Sequence, residues 1–154
     1  MSPYADTNLF TRLYLPLPES AAADRLVDLA RLGRASPLPV TWLLRLELVN
    51  AFQLHVFASR SHRQTRITRE QAAAAHATFR GDLRHPTFLR QTELSLLDLE
   101  LQFEELALRY TASRGFRTYD LIHVASALLL RCDTFWTFDP KASQLASLEG
   151  LKLR

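Results

Sequence analysis

At 154 residues with 47% hydrophobic content, the chain is long enough for one well-buried core and too short to suggest two, so a single domain over residues 1–154 is expected. The formal net charge is +3 and the basic residues are arginine almost throughout, Lys141 and Lys152 being the only lysines. No stretch approaches the roughly 20 apolar residues that cross a bilayer, the start lacks a signal-peptide pattern, and a lone Cys132 excludes an internal disulfide or a Cys-based metal site; the expectation is a cytoplasmic protein with no membrane partner.

Short strands alternate with longer helices along the chain. Tyr4 to Asp6 reads as a first strand, leading into a helix over Leu9 to Leu15 that Pro16 and Pro18 terminate. Ser20 is placed to cap a helix through Leu32, with Gly33 at its end. Pro39 to Thr41 is brief and extended, and Trp42 to Ser59 is a central helix, apolar on most of its circumference. Thr68 with Gln71 matches a capping box and starts a helix that stops before Pro86. These two helices, with the basic segment between them, are expected to form an antiparallel arm.

In the second half, a short strand is expected between Phe88 and Leu94, then a helix from Leu97 to Ser113 with Gly115 as its C-cap. Thr118 is the expected cap of a helix over Tyr119 to Leu130. Thr134 to Phe138 reads as a buried strand, Pro140 to Leu148 as a terminal helix and Leu151 to Leu153 as a last strand. Alternation of this kind predicts an α/β chain with a parallel sheet covered on both sides, and ligands in such sheets bind beyond the carboxyl ends of the strands.

That placement gathers carboxylates. Asp6 and Asp139 each follow a hydrophobic strand, and Asp120 opens a helix whose dipole favours the ionised form. Glu47 sits between Leu46 and Leu48 on a nearly all-apolar helix, where burying it alone would cost several kcal/mol, so it requires a partner or a wet cleft. Asn50, three residues on, is expected to share its face. Acids that share a cleft need a cation, and a hard cation on carboxylate oxygens is the usual tool for cutting phosphodiesters. His123, three residues after Asp120, is expected to be a hydrogen-bonded helix histidine.

Four segments then resemble one family. Ala5-Asp6-Thr7-Asn8, Glu47-Leu48-Val49-Asn50-Ala51, Tyr119-Asp120-Leu121-Ile122-His123-Val124-Ala125-Ser126-Ala127 and Thr137-Phe138-Asp139, in this order, resemble the motifs of PIN-domain ribonucleases, and more narrowly of VapC-type toxins. The resemblance spans nearly the whole chain. It implies a three-layer α/β/α sandwich with a central, mainly parallel sheet, Mg²⁺- or Mn²⁺-dependent RNA cleavage, and inhibition by a cognate antitoxin. By position it assigns Asp6, Glu47, Asp120 and Asp139 to the metal site, with Asn8 and Thr137 as neighbours that order waters. It also implies a homodimer.

Metal-assisted attack in line on phosphorus would leave 5′-phosphate and 3′-hydroxyl ends. Arg114 and Arg117, flanking Gly115 ahead of the Asp120 helix, are candidate phosphate contacts. Arg63 and Arg66, in a stretch that holds no acid between Glu47 and Glu70, form a second candidate track. Trp42, Phe52, Phe57 and Phe79 exceed what one helix face needs, so some are expected at partner surfaces. The alternative is a non-catalytic PIN-like module that binds RNA or assembles without cleaving; a phosphoacceptor domain fits poorly because Asp6 is followed by Thr7 and Asn8 rather than a second acid.

Overall fold

The computed structural model describes residues 1–60 and 66–154. Strand β1 (Pro3–Ala5) runs into α1 (Thr7–Tyr14) and α2 (Ser20–Arg31), then β2 (Leu38–Val40), α3 (Trp42–Ala58), α4 (Arg69–Arg84) and β3 (Leu89–Gln91). Helix α5 (Leu96–Leu106) continues through a π-helical turn (Ala107–Thr111) into a short α6 (Ala112–Arg114). Helix α7 (Thr118–Leu129), β4 (Thr134–Trp136), α8 (Pro140–Leu148) and β5 (Lys152–Leu153) complete the chain.

All strand pairs among the described residues are parallel, but they form two hydrogen-bonded sheets, β1-β4-β5 and β2-β3, rather than one. Two prolines account for the break. In a parallel ladder, alternate residues direct their N–H and C=O to opposite neighbours. The bond from Asp6 N to Trp136 O turns the even residues of β1 toward β4, which leaves Pro3 facing β2. The bond from Leu38 N to Phe88 O likewise turns Pro39 toward β1. A proline has no N–H to donate, so β2 lies against β1 without a ladder between them.

The same alternation sorts side chains into two cores. Ala5, Leu38, Val40 and Trp136 pack with α1, α2, α3 and α4, while Tyr4, Phe135 and Leu151 pack with α5, α7 and α8. Helices therefore cover both faces, giving the three-layer arrangement. Trp136, Tyr4, Phe10, Phe52 and Phe135 are fully buried, each contributing about 2–3 kcal/mol by transfer from water.

Several boundaries differ from expectation because capping groups move them. Ser20 is not the cap of α2: Glu19 takes that position at φ +64°, while the Ser20 hydroxyl donates to Leu15 O and accepts from Leu17 N. Gly33 does end that helix, at φ +69°. Thr41 is not in β2 but caps α3, accepting from Leu44 N at 3.2 Å. Arg117 rather than Thr118 is the N-cap of α7, which places Asp120 at the third helical position. The long helix from Leu97 is interrupted by a π-helical turn at Ala107–Thr111; along it Leu97, Leu101 and Leu108 are exposed, and Leu99 and Leu106 carry the packing.

Helices α3 and α4 do not form a separate arm over most of their length. Leu44, Leu48 and Phe52 from one, and Ala72, Ala75 and Phe79 from the other, belong to the first core. The Thr68–Gln71 capping box forms as the sequence predicts, with bonds of 3.1 and 2.9 Å. Thr68→Ala is expected to lower stability by about 1 kcal/mol, measured as a shift in the urea midpoint at unchanged slope; an unshifted midpoint would mean the cap contributes nothing.

Candidate active site

The carboxyl edge of the β1-β4 pair opens into a cleft of about 360 Å³ lined by Asp6, Glu47, Asp120 and Asp139, with Thr7, Asn8, Arg12, His55, Arg117, Tyr119 and His123 around them. Four segments spread over the whole sequence thus deliver one acid each. Asp6 and Asp139 lie just beyond β1 and β4, which end on the same side because they are parallel, and Glu47 and Asp120 join them from α3 and α7.

Asp6 leaves β1 and caps α1. Its Oδ1 accepts from Leu9 N at 3.0 Å, and its Oδ2 accepts from the Thr137 hydroxyl at 2.6 Å. Burial pushes the carboxyl above its ordinary value, offset in part by His123 and by these two donors. Asp139 caps α8, its Oδ1 accepting from Lys141 N and Ala142 N at 2.8 and 3.4 Å. Burial opposes its charge, but Arg117 and the backbone donors outweigh that, and the carboxyl lies below its ordinary value. Thr137 ties the two together, donating to Asp6 and accepting from Asp139 N at 2.9 Å.

Glu47 finds its partners across the cleft. Its Oε2 accepts from the Thr7 hydroxyl and from His123 Nε2, each at 2.6 Å. The other ring nitrogen, Nδ1, lies 2.9 Å from the Tyr4 hydroxyl: neutral, it accepts the phenol's proton; charged, it donates to the phenol oxygen. Desolvation opposes both charges of the pair. Their hydrogen bond and mutual attraction, with Thr7 beside Glu47 and Asp6 and Asp120 near His123, together outweigh it, lowering Glu47 and raising His123 from their ordinary values.

Asp120 is held by Arg117 on two levels. Backbone N of Arg117 donates to Oδ2 at 3.0 Å, and the guanidinium forks onto both oxygens, Nε to Oδ2 at 3.1 Å and Nη2 to Oδ1 at 2.9 Å. The same Nη2 donates to Asp139 Oδ2 at 2.6 Å.

The remaining expected residues are placed unequally. Asn8 lines the cleft, and its Oδ1 accepts from Phe138 N at 3.2 Å, clamping α1 to the turn after β4. Asn50 is exposed and outside the cleft lining; the face of Glu47 continues through Ala51 and His55 instead, at i+4 and i+8. Arg114 is exposed, and its carbonyl accepts from Lys141 Nζ at 2.8 Å. Arg66 lines a separate hollow with Ser59, Arg60 and Arg69. Arg63 lies outside the described residues. Among the aromatic residues, Phe52 and Phe79 are core and Phe57 is exposed.

Sequence reading missed Tyr4, Thr7, Arg12, His55 and Tyr119. Helical spacing from Glu47 reaches His55, and spacing from Asn8 reaches Arg12; nothing in the sequence joins Tyr4 to His123.

A hard divalent cation takes carboxylate oxygens, and this donor set has that chemistry. The Arg117 guanidinium already stands in as a cation between Asp120 and Asp139. As the side chains stand, no three acidic, histidine or cysteine groups among the described residues are placed to hold one ion together. Three of the acids are paired within the chain, Glu47 with His123 and Asp120 and Asp139 with Arg117, while Asp6 accepts from the neutral donors Thr137 and Leu9 N. The donor chemistry suits a hard cation, and Arg117 stands between two of the four carboxylates.

No protein-family model matches the chain, and no curated protein matches it significantly. Solved structures do. The toxin VapC20 of Mycobacterium tuberculosis, described as cleaving the sarcin–ricin loop, superposes with a TM-score of 0.64 at 17% identity over 92% of this chain and 93% of its own. A chain of VapBC2 from Rickettsia felis, solved bound to a DNA fragment from its promoter, gives 0.62 at 17% identity over 100% of this chain and 98% of its own. With its parallel strands, two helical layers and near-complete coverage of both, the chain adopts the α/β fold of the PIN-domain VapC proteins.

Proposed function

We propose that this protein is a metal-dependent endoribonuclease, the toxin of a toxin–antitoxin pair. The observation that carries the proposal is the cleft in which Asp6, Glu47, Asp120 and Asp139 meet at the carboxyl edge of the parallel strands. The description of VapC20 as a toxin that cleaves an RNA loop supports the substrate class.

In this reading Asp120 and Asp139 face each other across one cation position, with Asp6 and Glu47 completing the anionic wall. A bound Mg²⁺ or Mn²⁺ supplies Lewis acidity toward water and the phosphoryl oxygens. Thr137 and Asn8 keep α1, β4 and α8 in register so that Asp6 and Asp139 hold their directions. Thr7 and His123 hold Glu47 on the opposite wall. Arg12 and Tyr119 also line the cleft, offering a cation for phosphate and an exposed ring for a base.

The VapBC2 structure supports an antitoxin as partner. A groove of about 540 Å³ between α3, α4 and β3, floored by Trp42, Leu46, Val49 and Phe79 and edged by Arg45, Arg80 and Arg84, provides an apolar and basic surface for such a contact. No helix among the described residues is long and apolar enough to cross a membrane, and we place the protein in the cytoplasm, as a homodimer.

The test is incubation of structured RNA with the protein in Mg²⁺, in Mn²⁺ and in EDTA. Cleavage confined to the metal-containing samples is expected. One observation favours a second reading, a non-catalytic RNA-binding module: Asp120 and Asp139 are already paired with a cation of the chain itself, Arg117. RNA binding unaffected by EDTA, with no cleavage under any condition, would establish it.

A further inference from the structure

Asp120 and Asp139 share an unusual division of labour between their oxygens. One oxygen of each is held by backbone: Asp120 Oδ2 by Arg117 N, and Asp139 Oδ1 by Lys141 N and Ala142 N. The other two, Asp120 Oδ1 and Asp139 Oδ2, converge on one nitrogen atom, Nη2 of Arg117, at 2.9 and 2.6 Å. That nitrogen therefore sits where two carboxylates, each also anchored to backbone N–H, converge.

The guanidinium is also the most exposed member of this cluster. The Arg117 side chain is 62% exposed, against 5% for Asp120 and 22% for Asp139. A side chain this exposed can rotate away without unpacking the core, at the cost of its fork onto Asp120 and its bond to Asp139. It would leave two carboxylates facing one another across a small gap, an arrangement that a doubly charged ion satisfies better than a single guanidinium.

We propose that Arg117 is a resident counter-cation that occupies the divalent-metal position between Asp120 and Asp139, and that metal binding proceeds by displacing it. The inference rests on the metal-dependent reading above and adds a competitor built into the chain. Arg117 keeps the two acids together in the metal-free protein and weakens the affinity for metal. Once displaced, its guanidinium stays tethered at the rim of the cleft, within reach of a phosphate.

The experiment is Mn²⁺ binding, followed by electron paramagnetic resonance of the free ion, to the wild type, Arg117→Gln, Arg117→Lys and Asp120→Asn. Arg117→Gln is expected to bind Mn²⁺ about tenfold more tightly than the wild type, since it removes both competing pairs and a neighbouring positive charge. Arg117→Lys, which keeps the charge but loses the fork, is expected to fall between them. Unchanged or weaker binding in Arg117→Gln, together with weaker binding in Asp120→Asn, would overturn the competition while leaving the metal site intact. Wild-type binding that Asp120→Asn does not weaken, or no binding by any of the four proteins, would overturn both the inference and the metal-dependent reading.

Discussion

Asp120→Asn is expected to reduce the rate of RNA cleavage in Mg²⁺ by about a thousandfold, the loss of roughly 4 kcal/mol of charge stabilisation at the reacting phosphate. The substitution preserves shape, and the asparagine oxygen can still accept from Arg117 N, the bond that now reaches Oδ2 at 3.0 Å. What is lost is the negative charge and the oxygen that faces Arg117 Nη2. Folding should change little, so thermal unfolding of the variant serves as the control. Initial rates within about threefold of the wild type would remove Asp120 from the chemistry, and with it the proposed cation position, because Asp139 alone would remain at that point.

The second large effect concerns stability. His123→Ala is expected to destabilise the fold by about 3 kcal/mol, as removal of one partner from a buried ion pair leaves the other charge uncompensated. Glu47 would keep only Thr7, and the buried Tyr4 hydroxyl would lose its bond to Nδ1. The penalty should vary with pH in a defined direction. The His123 contribution is raised in the fold, so it is complete below the ordinary histidine value of 6.5 and fades as pH climbs through the raised one.

The Glu47 contribution is lowered in the fold, so it is complete above the ordinary value of 4.5 and fades as pH falls through the lowered one. The difference between wild type and His123→Ala should be largest between these two values and shrink on the alkaline side. Urea unfolding at a series of pH values measures it; a difference of less than about 1 kcal/mol throughout that window would mean the pair is not coupled.

Both predictions depend on features that the sequence reveals unequally. Asp6, Glu47, Asp120 and Asp139 could be picked out in advance because strand ends and capping positions are local: an aspartate after a short apolar strand, or in the first turn of a helix, announces itself through its neighbours. The lone glutamate on an apolar helix was conspicuous for the cost of burying it. The Thr68–Gln71 box and the glycine ends at Gly33 and Gly115 were equally legible, since each is settled within a few residues.

What spanned the chain was not. Glu47 and His123 are 76 residues apart and Tyr4 and His123 are 119 apart, so no periodicity connects them. The break between β1 and β2 is written in Pro3 and Pro39, yet its meaning depends on which neighbour each faces, and that is known only when β4 and β3 take their registers. Asn50 was expected beside Glu47 by helical spacing, but the direction of the cleft relative to α3 passes it by in favour of Ala51 and His55.

By itself the sequence determined the alternation of strands and helices, the parallel strands that follow from it, and which four acids line the cleft, because these rest on propensity, capping and hydrophobic period, which act over a few residues. Tertiary structure decided the pairings: His123 on Glu47, Thr137 between Asp6 and Asp139, and Arg117 seated where two aspartates converge. A charge is neutralised by whatever stands within a few ångströms, and in a folded chain that distance is set by how layers pack rather than by position along the sequence.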